Sequence, residues 1–256
     1  GSIRLAEMIR STAAQDRTRS TIILLQISGG AGGISVQFSA TTIGSGTVLV
    51  DPFGDTDIFT GIEELRATQQ DDVLIGGIGS QRFRAYAGDD TIDGGADRDV
   101  LTYSDSANYR DSNGNFGTGG ITVRLASNTI IDAWGDTDLV FNIEAIRGTG
   151  AADDMLGDVT DDTFEGNAGN DVLSGAAGTD DLFGGLGDDT LDGGADNDAL
   201  RGDAGMDILT GGIGFATLVE SDVNGDGGLD TTVTLSSGDT ILLLHVTGVT
   251  DPLQLL

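Results

Sequence analysis

From Gly148 to Val219 the chain divides without a gap into nine-residue units: GTGAADDML, GDVTDDTFE, GNAGNDVLS, GAAGTDDLF, GGLGDDTLD, GGADNDALR, GDAGMDILT and GGIGFATLV. A fixed period of this length constrains the fold severely, because each unit can bury its few apolar side chains only against the units stacked on it. The sixth position holds Asp153, Asp162, Asp171, Asp180, Asp189, Asp198 and Asp207, then fails at Ala216. The eighth holds Met155, Phe164, Leu173, Leu182, Leu191, Leu200, Leu209 and Leu218. A second block runs from Ala67 as ATQQDDVLI, GGIGSQRFR, AYAGDDTID and GGADRDVLT. It keeps Asp72, Asp90 and Asp99 in the sixth place, with Gln81 breaking the column, and Leu74, Phe83, Ile92 and Leu101 in the eighth. A short strand around each eighth position would point that residue to one face and its neighbours to the other, filling a thin core. Glycines would let the intervening turns take positive φ.

The pattern G-G-x-G-x-D-x-U-x, with U a large apolar residue, resembles the nonapeptide of the RTX, or haemolysin-type calcium-binding, family. The resemblance implies an all-β fold, a parallel β-roll (β-solenoid) with Ca2+ in the turns. The first six residues of each nonad would form a calcium-binding turn, the last three a strand, and two nonads one coil. It implies several ions, held by Asp72, Asp90, Asp99, Asp153, Asp162, Asp171, Asp180, Asp189, Asp198 and Asp207. With eighteen residues per coil, Asp153 stacks on Asp171, Asp171 on Asp189, Asp189 on Asp207, Asp162 on Asp180, Asp180 on Asp198, and Asp72 on Asp90. At a strand spacing of roughly 4.8 Å and an effective dielectric near 20, each such pair repels by about 3 kcal/mol. Net fold stability is only about 5 to 15 kcal/mol. A roll without counter-ions is therefore predicted not to hold, and a hard divalent cation with oxygen ligands suits Asp carboxylates and turn carbonyls.

Charge agrees with that expectation. The chain carries 42 acidic residues against 12 basic ones, all Arg, for a net charge of -30. Nucleic acid is excluded as a partner, since phosphate affinity needs clustered basic residues. A phosphate-cradling P-loop is excluded because there is no Lys. The 148–219 block holds 16 acidic residues and only Arg201 opposite, so anions are repelled. A disordered acidic linker is the bland alternative, against which the eighth-position column and the 38% hydrophobic content argue. With no Cys there is neither a disulfide nor a thiolate metal site. The apolar run TIILL at 21–25 is far too short for a membrane span. His245, the only histidine, reads as a strand residue, H-E-x-x-H needs two, and no G-x-S-x-G is present. The chain is expected not to be an enzyme.

Outside the nonads, DPFGDTDIFTGIEELRAT at 51–68 matches DAWGDTDLVFNIEAIRGT at 132–149, and each copy leads into a nonad block. Alternating segments, ISVQFS at 34–39 and ITVRLA at 121–126, precede the copies and predict strands that cap or extend the roll. The expected organisation is an N-terminal linker or cap (1–33), a first unit (34–102), a second unit (103–219) and a C-terminal cap (220–256). The paired GDTD at 54–57 and 135–138 reads as a turn, for which Asp and Gly suffice, ahead of a further calcium site. DVNGDGGLD at 222–230 reads either as a weak EF-hand-like loop or as an acidic turn. Beyond it, TTVTLSSGDTILLLHVTGV predicts a C-terminal hairpin closing the roll. LAEMIRS at 5–11 has weak helical character, and Gly1-Ser2 without an initiator Met reads as an expression remnant with natural chain upstream.

The functional expectation is a secreted, non-enzymatic calcium-binding module, extracellular or at the cell surface, that folds when calcium is supplied. The resemblance implies the type I secretion machinery as a partner. The alternatives are an accessory domain of an exported enzyme (protease, lipase or alginate epimerase) or an adhesin segment. An ice-binding face is disfavoured, because the outward positions seven and nine carry no ladder of Thr.

Overall fold

The computed structural model describes residues 24–26, 32–50, 57–111, 113–220, 232–234 and 240–244. The 5–11 segment, the 222–230 loop and His245 lie outside them. The described residues fall into two compact units, one within Gly1–Gly119 and Asn128–Ile146, the other within Gly120–Ser127 and Arg147–Leu256.

In the second unit successive nonads feed two facing parallel sheets in alternation. One sheet holds Thr122–Arg124, Asp154–Leu156, Val172–Ser174, Thr190–Asp192, Ile208–Thr210 and Thr232–Thr234. The other holds Thr163–Ala168, Asp181–Leu186, Asp198–Ala204, Phe215–Glu220 and Thr240–Leu244. Register follows the eighteen-residue coil: Met155 lies beside Leu173, Leu173 beside Leu191, and Leu191 beside Leu209. Phe164, Leu182, Leu200 and Leu218 line up likewise on the opposite sheet. Met155, Phe164, Leu173, Leu182, Leu191, Leu200 and Leu209 are buried. The fold is thus a β-roll whose core is a double row of eighth-position side chains.

The first unit repeats the scheme. Glu64–Arg66, Arg82–Arg84 and Val100–Thr102 run parallel on one side, with Leu24–Gln26 added at the edge. Ser35–Phe38, Val73–Ile75, Thr91–Asp93 and Thr137–Phe141 run parallel on the other. Here the alternating segment at 34–39 does extend the roll. It also receives an antiparallel addition, Gly46–Val50 on Ser35–Phe38 and Asp57–Phe59 on Gly46–Val50. That addition is fastened by aromatics: Phe38 packs edge-on against Phe59 at 4.9 Å and against Phe83 at 6.1 Å.

Two features depart from expectation. Thr163–Ala168, Asp181–Leu186 and Asp198–Ala204 run well past three residues, because pairing continues through the second nonad position, from Asn167 to Gly185 to Asp203. These residues take φ of +72°, +113° and +69°, a region that Gly, Asn and Asp tolerate. Among the described residues, the two strands of the expected C-terminal hairpin pair with separate sheets and not with each other. Thr232–Thr234 pairs parallel with Ile208–Thr210, and Thr240–Leu244 pairs parallel with Phe215–Glu220. Each sheet ends in unpaired backbone groups, and a strand docking on each end satisfies both, where a hairpin would satisfy one.

Because each coil is held by its neighbours, a hole in the double row should be costly. Leu191→Ala is expected to lower unfolding free energy by about 2–5 kcal/mol in denaturant titrations with calcium present; a loss under about 1 kcal/mol would show that this row is not the stabilising core.

Candidate metal centre

Two conformational demands shape each turn. At the second and fourth nonad positions the backbone repeatedly enters the left-handed region, as at Gly185 (φ +113°) and Gly187 (φ +126°). At the first position the demand is space. A Cβ on Gly166, Gly175, Gly184, Gly193 or Gly202 would collide with Oδ2 of the Asp five residues on. The sixth-position side chain therefore folds back over the glycine that opens its own turn.

That fold places the carboxylates in rows. All ten sequence-predicted residues, Asp72, Asp90, Asp99, Asp153, Asp162, Asp171, Asp180, Asp189, Asp198 and Asp207, are buried. Along a row, the backbone N–H of each Asp donates to Oδ1 of the Asp eighteen residues later. The bonds run from Asp153 to Asp171 (2.7 Å), Asp171 to Asp189 (2.8 Å) and Asp189 to Asp207 (2.9 Å). The second row runs from Asp162 to Asp180 (2.8 Å) and Asp180 to Asp198 (3.0 Å). In the first unit Asp72 donates to Asp90 at 2.7 Å, and Gln81 to Asp99 at 2.6 Å. Every expected pair is brought together.

The other oxygen is different. Oδ2 of Asp90, Asp99, Asp171, Asp180, Asp189 and Asp198 is buried with no hydrogen-bond partner. An acceptor left in that state costs about 1–3 kcal/mol, and more if charged. Burial pushes Asp99 and Asp189 up to about 7 and Asp198 up to about 6, against the pull of the backbone N–H each accepts. Asp171 and Asp180 are raised for the same reason. Rows of orphaned anionic oxygens beside turn carbonyls are the donor set of a hard divalent cation. Among the described residues no three His, Cys, Asp or Glu side chains form a metal-binding group, so a ligand set here draws largely on backbone carbonyls.

The first nonad of each block behaves otherwise. The Thr68 hydroxyl donates to Asp72 (3.0 Å to Oδ1), and its N–H reaches Oδ2 at 2.8 Å. Thr149 does the same for Asp153, at 3.0 Å to Oδ1 and 2.8 Å to Oδ2. Both oxygens of these two carboxylates are thus engaged, although burial still pushes each up to about 6. Gln81, which breaks the sixth-position column, fills its own turn: its amide Nε2 donates to Ile78 O at 3.0 Å and to Gly79 O.

Several participants are absent from the sequence-predicted set. Asp138 accepts the Asp90 N–H at 3.1 Å and the Tyr103 hydroxyl at 2.7 Å, and Glu144 accepts the Asp99 N–H at 2.9 Å. Burial raises Asp90 and Asp138, with the Asp138 charge adding to the effect at Asp90. The turn lies at 132–136, with Asp132 Oδ1 accepting the N–H groups of Trp134, Gly135 and Asp136, and the GDTD at 135–138 runs out of it into the strand Thr137–Phe141, delivering Asp138 to a row. An outer ladder at the fifth position was missed as well: Asp188 donates to Asn170 Oδ1 at 3.1 Å, Met206 to Asp188 Oδ1 at 2.9 Å, and Thr179 to Asp161 Oδ1 at 2.8 Å. Asp71, Asp89, Asp161, Asn170, Asp188 and Asn197, each just before a sixth-position Asp, were its signal.

The model of the RTX calcium-binding nonapeptide repeat matches at residues 58–80, 66–101, 147–182, 156–191 and 183–218. Both nonad blocks, over 58–101 and 147–218, are thus RTX repeats. The RTX matches coincide with the segments whose turns carry the orphaned carboxylate oxygens. No curated protein matches the chain.

The geometry separates two glycines that look alike in sequence. Gly184→Ala drives a methyl into Asp189 and should raise the calcium midpoint of folding several-fold, whereas Gly150→Ala, with no atom within 4 Å of the added carbon, should leave it unchanged. Equal midpoints for the two variants in calcium titrations would contradict the placement of the sixth-position side chain.

Proposed function

We propose that this chain is a non-enzymatic calcium-binding module of a larger secreted protein, one that folds on binding several Ca2+ ions after export by the type I secretion machinery. The observation that carries this reading is the row of buried, partnerless Oδ2 atoms. The ligands are the sixth-position carboxylates Asp90, Asp99, Asp162, Asp171, Asp180, Asp189, Asp198 and Asp207, together with turn carbonyls. Asp72 and Asp153, engaged by Thr68 and Thr149, stand at the N-terminal ends of their rows with less to offer an ion.

The secretion logic follows from the same carboxylates. Where calcium is scarce, repulsion and desolvation along the rows disfavour the roll and leave the chain extended for export. In millimolar extracellular calcium, binding energy becomes folding energy. No helix among the described residues is long and apolar enough to cross a membrane.

Circular dichroism should show a largely unfolded chain in EGTA and reversible gain of β structure at millimolar calcium; a calcium-independent spectrum would sink the proposal. Protons should partly replace the metal. Burial holds Asp99 and Asp189 up to about 7 and Asp198 up to about 6 in the fold, above the ordinary value near 3.9. The metal-free roll therefore binds more protons than the unfolded chain across that window. Its stability is largest at the acidic end and falls as pH rises through about 6 to 7. Calcium-free samples should gain β signal from pH 8 to pH 5.

Position in the row should also matter. Asp189 stands in mid-row, its Oδ1 taking the Asp171 N–H and its own N–H reaching Asp207 Oδ1, and its carboxylate would serve the ion sites on both sides, so Asp189→Ala should raise the calcium midpoint more than Asp207→Ala nearer the end of the row. If Asp207→Ala proved equal or worse, folding would be nucleated from the C-terminal end and nearest-neighbour stacking would be the wrong description.

A further inference from the structure

The spacer at 132–144 contains no nonad, and its two row-forming carboxylates, Asp138 and Glu144, are six residues apart instead of nine. It nonetheless forms a coil of the first unit. Val140 lies beside Ile92 in the place of an eighth-position residue and is buried. Ala145 N–H donates to Asp99 O at 3.1 Å, as Ala199 N–H donates to Asp180 O at 2.8 Å between nonads. Gly94 N–H donates to Phe141 O at 2.9 Å, as Gly175 N–H donates to Asp192 O at 3.0 Å.

The likeness extends to the turn itself. Between nonads, Gly184 stands against Oδ2 of its own Asp189 and the carbonyl of Gly202 in the next coil. At the spacer, Gly94 stands against Oδ2 of its own Asp99, 2.9 Å from where a Cβ would lie, and against the carbonyl of Asn142. Asn142 O thus occupies the place of a first-position nonad carbonyl. Its residue is held there by Asn142 Nδ2 donating to Asp93 Oδ1 at 2.7 Å, and it sits in the left-handed region at φ +51°. Asp99 is fully buried, its Oδ2 has no partner, and the Glu144 carboxylate closes the same turn by accepting the Asp99 N–H. The neighbouring turn shows what the chain does where no ion is needed: Gln81 fills it with an amide.

We propose a divalent-cation site only half of which the nonapeptide supplies: the Gly94–Asp99 turn, closed from outside the repeat by the Asn142 carbonyl and the Glu144 carboxylate. It rests on the calcium reading above and adds a coil that the repeat does not encode. An ion there would be bound by Asp99 Oδ2 and Asn142 O, with Glu144 supplying the second anionic group that a sixth-position Asp supplies elsewhere.

Equilibrium dialysis of the full chain against calcium, before and after Glu144→Gln, tests the site. The variant should bind roughly one ion fewer per chain, the remaining ions being kept. Equal counts for both proteins would overturn the site while leaving the calcium module intact; a wild-type chain that binds no calcium would overturn both. Should Glu144→Gln not fold, anomalous difference maps from wild-type crystals grown in calcium decide instead. A peak about 2.3–2.6 Å from Asp99 Oδ2 and Asn142 O is expected, and peaks in the nonad turns with none here would refute it.

Discussion

Everything in this roll hangs on one hydrogen bond, repeated: the backbone N–H of a sixth-position Asp donating to the carboxylate of the next coil. It sets the rise between coils, buries the carboxylate, and commits one oxygen while stranding the other. Simple stacking of charges would predict repulsion alone. The bond converts half of each carboxylate into a structural element and leaves the remainder as a liability that a cation can resolve. Where a donor is at hand, as at Thr68 and Thr149, the second oxygen is satisfied with the bond kept; where none is, the proposed cation would take that place.

The period and two of its columns were legible in the sequence. Counting nine by nine places Leu191 between Leu173 and Leu209, and Asp171 beside Asp189, and the sheets obey both. What was not legible depends on side-chain direction. Thr68 and Thr149 engage a carboxylate through both hydroxyl and N–H, whereas Asp158 at the same second position has no side-chain donor and offers Asp162 only its N–H at 3.2 Å, and which oxygen each donor reaches is not reported by spacing. The spacer reads as a turn at its GDTD because Asp and Gly suffice for one, which says nothing of a coil. Its coil is recognisable only once Val140 is seen beside Ile92. The C-terminal strands misled for a related reason. Two apolar segments around a Gly-Asp turn look the same whether they pair with each other or each continues a separate sheet, and only the open edges of the roll decide between them.

The bond also has a direction, which explains how rows end. Each N–H points toward the C-terminal neighbour, so a row can begin on any residue with a free N–H, and Ile34 and Ile121 serve, donating to Asp72 and Asp153 at 2.6 and 2.7 Å. Ending is harder, since the last Asp of a row has a buried N–H that needs an acceptor from a coil that may lack a sixth-position Asp. In the first unit Asp138 and Glu144 supply it. In the second unit the failure at Ala216 is met differently. Between the earlier coils of that sheet, strand pairing starts at the seventh position, as with Asp181 beside Ala199. At the last coil it starts one residue sooner, with Asp198 beside Ala216. Where the side chain needed for the carboxylate row is lost, backbone pairing advances by one residue to take its place. The ladder of carboxylates and the β-ladder are therefore interchangeable ways of joining two coils at the sixth position. On the proposed calcium reading only the first would supply a cation site, so the choice of Asp or Ala at that position would set where along the roll an ion binds.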